Sequence, residues 1–132
     1  MRPALLAAAV ALLAPVTIAL AATDAEDAAV RRGEIAYRKC FSCHAIEPGQ
    51  ALEGPSLRGI VGRRIASEPG FAYSTALQSL ARQHSRWSEP LLDRFIADAE
   101  QVAPRTKMNF HGIANPGERR DLILFLRRTG AR

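Results

Sequence analysis

The stretch Cys40-Phe41-Ser42-Cys43-His44 decides how the rest of the chain is read. Two cysteines three apart, with a histidine directly after the second, have the spacing by which a c-type haem is attached covalently and ligated at once. Each thiol can add across one vinyl group, and a helical turn between them swings the histidine under the iron as its proximal ligand. One haem c, held covalently through Cys40 and Cys43 and ligated by His44, is therefore expected. A redox dithiol or half of a zinc site would use the same cysteine spacing. These are the only two cysteines, however, so no second pair completes a four-cysteine site, and His84 and His111 are too scattered for a zinc finger. The alternating strand and helix context of a thioredoxin-like motif is also lacking.

The 132 residues make one domain at most, and removal of a leader would leave about 110, near the common domain size. An apolar fraction of 48% suffices for a core, whereas only 6% of the chain is aromatic, so an embedded haem would supply much of the core's bulk. Residues 1–22 read as a secretory signal peptide that is removed. Arg2 is a short positive region, 5–20 is an apolar run broken by Pro15, and Ala19-Leu20-Ala21 resembles a small-x-small cleavage site. The competing reading is a retained anchor, because about 20 apolar residues can just span a bilayer. Export agrees with covalent haem, since loading needs thiols outside a reducing cytosol.

The formal charge is +5, and losing Arg2 with the leader lowers it by one. Arginine carries most of it, with Lys39 and Lys107 the only lysines. Such an excess is solvated surface first and a steering field for an acidic partner second. No basic stripe interleaved with aromatics points to nucleic acid.

Thr23 to Glu26 has capping-box spacing, and 27–39 contains no proline, so an N-terminal helix is expected to run towards the haem motif. Gly33 interrupts it, which suits close packing of another helix across that glycine, with Tyr37 at the same contact. Residues 49–70 are dense in glycine and proline and are expected as loop, unusually long unless a bound group holds it. Short helices follow at 74–82 and 88–99. In the second, Ser88 caps, Pro90 suits the first turn, and Leu91, Leu92, Phe95, Ile96 and Ala99 mark one face. The last helix is clearest: Asn115 caps, Pro116 and Glu118 sit in the first turn, Arg127 and Arg128 in the last, and Gly130 ends it. Its buried stripe is Leu122, Ile123, Phe125 and Leu126. No strand alternation or internal repeat is visible, so the class is all-α with long loops.

A haem with one protein ligand is open to chemistry; one with two is generally an electron carrier. Met108, His84 and His111 are the candidate second ligands. A lone methionine usually packs in a core. Met108 nevertheless lies between a loop begun by Pro104 and the terminal helix, where rigid backbone can hold a ligand, and it is preferred.

Together these motifs resemble those of a soluble class I cytochrome c, of the branch shared by bacterial carriers and mitochondrial cytochrome c. The resemblance covers essentially all of 23–132 and rests on 40–44, Gly54-Pro55-Ser56-Leu57, Gly59 with Gly62-Arg63, the run 69–74, Trp87, Thr106-Lys107-Met108 and the terminal helix at 118–126. It implies four to five helices and long loops wrapped around one haem. Pro55 resembles the proline whose carbonyl accepts a hydrogen bond from the proximal imidazole, and Arg63, Tyr73 and Trp87 match positions that hydrogen-bond or screen haem propionates. Gly33 and Tyr37, against Leu122 and Phe125, resemble the crossing of first and last helices.

Departures from that pattern carry information of their own. Arg105 replaces the glycine of the ligand loop and would be strained if that glycine used a positive φ. Phe95 stands where a tyrosine often contacts the methionine sulfur, and a small insertion lies at 80–86. Lys39 and Lys107 match the family's lysine ring, but Glu53 and Glu100 fall where lysines are common.

The expectation is a periplasmic one-electron carrier, not an enzyme, with a monomeric chain and His44 and Met108 on the iron. The resemblance implies redox partners such as a cytochrome bc complex and a terminal oxidase or reaction centre, with membrane contact only transient, through those complexes. A second reading is a haem c subunit tightly associated with a periplasmic dehydrogenase. A third is peroxidase activity at an open iron if Met108 is a poor ligand.

Overall fold

The first and last helices cross at a point where one of them has no side chain. Gly33 of α1 (Ala14–Tyr37) lies against α5 (Pro116–Gly130), and a Cβ built on it would sit 2.0 Å from the Asp121 carbonyl oxygen and 2.8 Å from Phe125 Cβ. The close approach that Gly33 suggested is therefore real. Tyr37, one turn further on, stacks obliquely on Phe125 with ring centroids 5.6 Å apart. This is the most extensive helix–helix contact of the fold.

The computed structural model describes residues 14–131. Residues 1–13 of the expected leader lie outside the described residues. Between the crossing helices come α2 (Thr75–Gln83), α3 (Glu89–Ala97) and the single turn α4 (Ala99–Val102). The described residues form no strand, only one isolated antiparallel bridge between Arg64 and Arg86. The all-α class with five helices matches the expectation. So does the long irregular segment over 49–70.

Three boundaries differ from the expected ones. Thr23 lies inside α1, because the alanine-rich run before it has high helix propensity and carries the helix through the supposed capping box. At the other end α1 stops at Tyr37 instead of reaching residue 39, and hydrogen-bonded turns take over. The helix expected over 88–99 breaks at Asp98, whose N–H closes α3 on Arg94 while its carboxylate accepts from Gln101 N–H at 2.9 Å to start α4. A short acidic side chain that can bond the backbone ahead of it competes with helix continuation in this way. The caps at Ser74, Ser88 and Asn115 follow the same chemistry and fall where expected within a residue.

The core gathers Trp87, Leu91, Leu92, Phe95 and Ile96 against Leu122, Ile123, Phe125 and Leu126, all buried. Burying each large apolar side chain contributes about 1.5–3 kcal/mol. Charges lace α1 and the turn after it to α5: Arg32 to Asp121 at 2.6 Å, Arg128 to Asp27 at 2.7 Å and to Glu26 at 3.0 Å, and, from the turn, Lys39 to Glu118. Exposed pairs of this kind stabilise little, because water and salt screen them. Asp121 is the exception by environment, since its residue is buried and its Arg32 partner compensates the lost solvation. The helix crossing thus fixes the end of α1, from which the candidate site begins.

Candidate functional site

From Tyr37 onward the backbone winds in successive turns. Cys40 N–H bonds Tyr37 O at 2.8 Å, and His44 N–H bonds Cys40 O at 2.9 Å, which places both cysteines and the histidine on one helical turn. Both thiols are free and partly exposed, with Cys40 packed against the core. Burial pushes the Cys40 thiol up to about 11, against the opposing charge of Lys39. Cys43 faces outward, 3.7 Å from Glu53 and from Ser42 Oγ.

His44 is held from three sides. Its Nδ1 is 2.8 Å from the carbonyl oxygen of Pro55 and, since a carbonyl only accepts, that nitrogen carries the proton. The Tyr37 hydroxyl donates to the His44 carbonyl. Gly54 lies flat against the ring, so that a Cβ there would be 2.2 Å from Cε1, and its N–H is tied to Cys43 O at 2.8 Å. Burial disfavours the charged ring; the Pro55 bond works the other way, and the Arg63 charge adds to the lowering. The outcome is a neutral imidazole with its Nε2 lone pair free for a metal.

Met108 sits half-buried in the 103–110 loop and packs against the same core that Cys40 touches. Its N–H donates to Thr106 Oγ1 at 3.3 Å, and Thr106 N–H to Ala103 O at 2.9 Å, so local bonds fix the loop. Arg105 has φ 65, the left-handed conformation foreseen for the replaced glycine, and its N–H is anchored on Glu100 Oε1 at 2.9 Å. The other candidate ligands, His84 at the end of α2 and His111, are exposed.

Arg63, Tyr73 and Trp87 are brought together by the loop and the bridge. Gly62 N–H bonds Trp87 O at 2.8 Å and Trp87 N–H bonds Arg63 O at 2.9 Å. Trp87 is buried, edge-on to Phe95 with centroids 5.0 Å apart. The Tyr73 hydroxyl accepts from Glu68 N–H at 3.1 Å, and burial is the main cause of its raised pKa. Arg63 Nη1 donates to Glu68 Oε2 at 3.1 Å and to Arg58 O at 3.3 Å. Glu68 was not singled out from the sequence. It lies in the stretch without periodicity, where nothing but an opposite charge five residues on hinted at the pairing.

These residues fit a covalent haem. Two thiols and a tautomerically defined imidazole share one turn, and the buried Arg63 Nε has no hydrogen-bond partner, the only buried side-chain polar atom so placed among the described residues. A buried donor without an acceptor is costly, and an anionic group on a ligand would satisfy it. Among the described residues no group of three or more His, Cys, Asp or Glu side chains gathers.

No family profile matches the chain. Individual proteins do. The cytochrome c2 of Rhodomicrobium vannielii is 36% identical over 96 residues, 72% of this chain and 74% of that protein. Cytochrome c of Sesamum indicum is 36% identical over 104 residues, covering 77% and 91%. A cytochrome c2 of Rhodoplanes tepidamans is 39% identical over 102 residues, covering 76% and 92%. Among solved structures, cytochrome cH from Methylobacterium extorquens superposes with a TM-score of 0.69 at 33% identity, over 75% of this chain and 97% of that one. With the haem-attachment turn, the helix crossing and these relatives in agreement, the chain belongs to the class I c-type cytochromes, which are electron carriers rather than enzymes.

Proposed function

We propose that the protein is a periplasmic one-electron carrier whose haem c is bound through Cys40 and Cys43 and ligated by His44 and Met108. The observation that carries the reading is the 2.8 Å bond between His44 Nδ1 and Pro55 O, because it commits one ring nitrogen and leaves the other as a ligand beside both thiols. When bound, the haem supplies a one-electron Fe(II)/Fe(III) couple. A soft thioether from Met108 favours the ferrous state, and the apolar packing around it disfavours the extra charge of the ferric state. Arg63, Tyr73 and Trp87 would face the haem propionates.

The mature chain is the cytochrome c domain at 23–132, with 1–22 removed on export. No helix among the described residues is long and apolar enough to cross a membrane. It acts as a monomer between respiratory or photosynthetic redox complexes, a cytochrome bc complex on one side and a terminal oxidase or reaction centre on the other. Such complexes are small, steered and brief. Lys39 is paired with Glu118, and Glu53 and Glu100 are exposed, so the charge ring offered to an acidic partner is weaker than the net charge suggests.

The test is the spectrum. The ferric protein is expected to show the weak long-wavelength band of iron–methionine bonding. Met108→Ala removes the band, lowers the midpoint potential and opens the iron to carbon monoxide. A wild-type protein without the band, or a variant that keeps it, overturns the ligand assignment. Mass spectrometry of the periplasmic protein measures the leader's fate.

A further inference from the structure

The Arg63 guanidinium is divided between two jobs. One end, Nη1, is occupied by Glu68 Oε2 at 3.1 Å and by the Arg58 carbonyl at 3.3 Å. The other, Nε, is buried and has no partner. The Glu68 side chain is only 9% exposed, so its charge is poorly screened by water and acts mainly on Arg63. Its backbone N–H is in turn held by the Tyr73 hydroxyl at 3.1 Å, which fixes the segment that carries it. The pair Arg63–Glu68 sits in the same irregular segment as Pro55, whose carbonyl holds His44, with a buried unpartnered donor on its positive member.

We propose that Glu68 is a positioning residue: it clamps Arg63 by Nη1 so that Nε is left as the donor to a haem propionate, and its carboxylate offsets the Arg63 charge felt by the iron. This rests on the reading that Arg63 faces a propionate. An arginine alone beside the propionates would favour the ferrous state. With Glu68 paired to it, the local charge is close to neutral and the ferric state is less disfavoured. The potential is thereby set lower than Arg63 alone would set it.

The experiment is a redox titration of the haem-loaded wild type and of Glu68→Gln, Glu68→Asp and Arg63→Gln, with the iron–methionine band recorded for each. Glu68→Gln keeps shape and removes charge, and it is expected to raise the midpoint potential with the band intact; Glu68→Asp is expected to stay close to wild type. A merely structural role predicts the opposite sign, because a loosened loop admits water and stabilises the ferric state. An unchanged or lowered potential in Glu68→Gln overturns the proposal. Arg63→Gln separates the two readings: if it lowers the potential while Glu68→Gln does nothing, only the role of Glu68 fails. If it leaves the potential unchanged, the propionate reading of Arg63 fails. A measurement on the wild type needs no variant. In the ferrous protein the Arg63 side-chain ¹⁵N–¹H signals are expected to show a guanidinium with restricted rotation, and a freely rotating one overturns the clamp.

Discussion

The carbonyl oxygen of Asp121 lies 2.0 Å from the point that a Cβ would occupy on Gly33. No L side chain fits there without moving α1 off α5. Gly33→Ala is expected to destabilise the folded protein by about 2–3 kcal/mol, an overpacking cost at a helix crossing. Urea unfolding checks this: the midpoint falls while the slope is kept. A midpoint equal to wild type would mean that the crossing relaxes at no cost.

Gly54 plays the same part for a side chain. A Cβ there would meet His44 Cε1 at 2.2 Å and Nδ1 at 2.5 Å, so Gly54→Ala must push the ring from its place on Pro55. Loss of such an outer hydrogen bond typically weakens a metal ligand about 10–100-fold. The variant is expected to load haem through both cysteines, yet to bind carbon monoxide in the ferrous state where the wild type does not. Absorption spectra with and without the gas measure it, and equal spectra count against the orientation role.

Arg105 holds φ 65, which costs a residue with a Cβ about 1–2 kcal/mol. Arg105→Gly removes that strain but loosens the opened loop, leaving a net gain of about 0.5 kcal/mol. Glu100 still receives the backbone N–H, so the anchor survives. The iron–methionine band is then expected to persist to a pH higher by about 0.4, since 1.36 kcal/mol corresponds to one pH unit. A pH titration of the ferric band decides it, and a shift to lower pH would show that the arginine side chain holds the loop.

In the haem-free protein burial pushes the Cys40 thiol up to about 11, so at neutral pH it is almost wholly protonated and little of the reactive thiolate is present. Its alkylation by iodoacetamide is expected to rise about tenfold per pH unit and to level off only near that value. The direction follows from burial penalising the charged form. Peptide mass spectrometry after timed quenching gives the profile, and a plateau below pH 9 would contradict it.

The turn over Cys40 to His44 stood out because the covalent haem attachment proposed for it demands a fixed spacing, and α3 and α5 were legible because Ser88, Asn115 and their prolines mark starts that backbone donors require. The start of α1 was not, since the alanine-rich run ahead of Thr23 has the same propensity as the helix it joins. Asp98 reads as one more polar position until its carboxylate is seen on Gln101. Lys39 reads as a docking charge, whereas Glu118, 79 residues on, takes it up. Pairings at that distance depend on the fold having closed, and Arg63 with Glu68 depends on loop geometry that no period encodes.

The crossing of α1 on α5 joins Arg32 to Asp121 across 89 residues, and so it also sets an order of events in time. α1 has its partner in α5, and it stays undocked until α5 exists. The Cys40–His44 turn follows directly on that helix, ahead of α2 to α5. Its thiols are thus offered while the chain is still open, and closing α5 over α1 comes afterwards. Contacts this distant in sequence are slow to form, which gives the haem motif a long interval of access before the fold shuts.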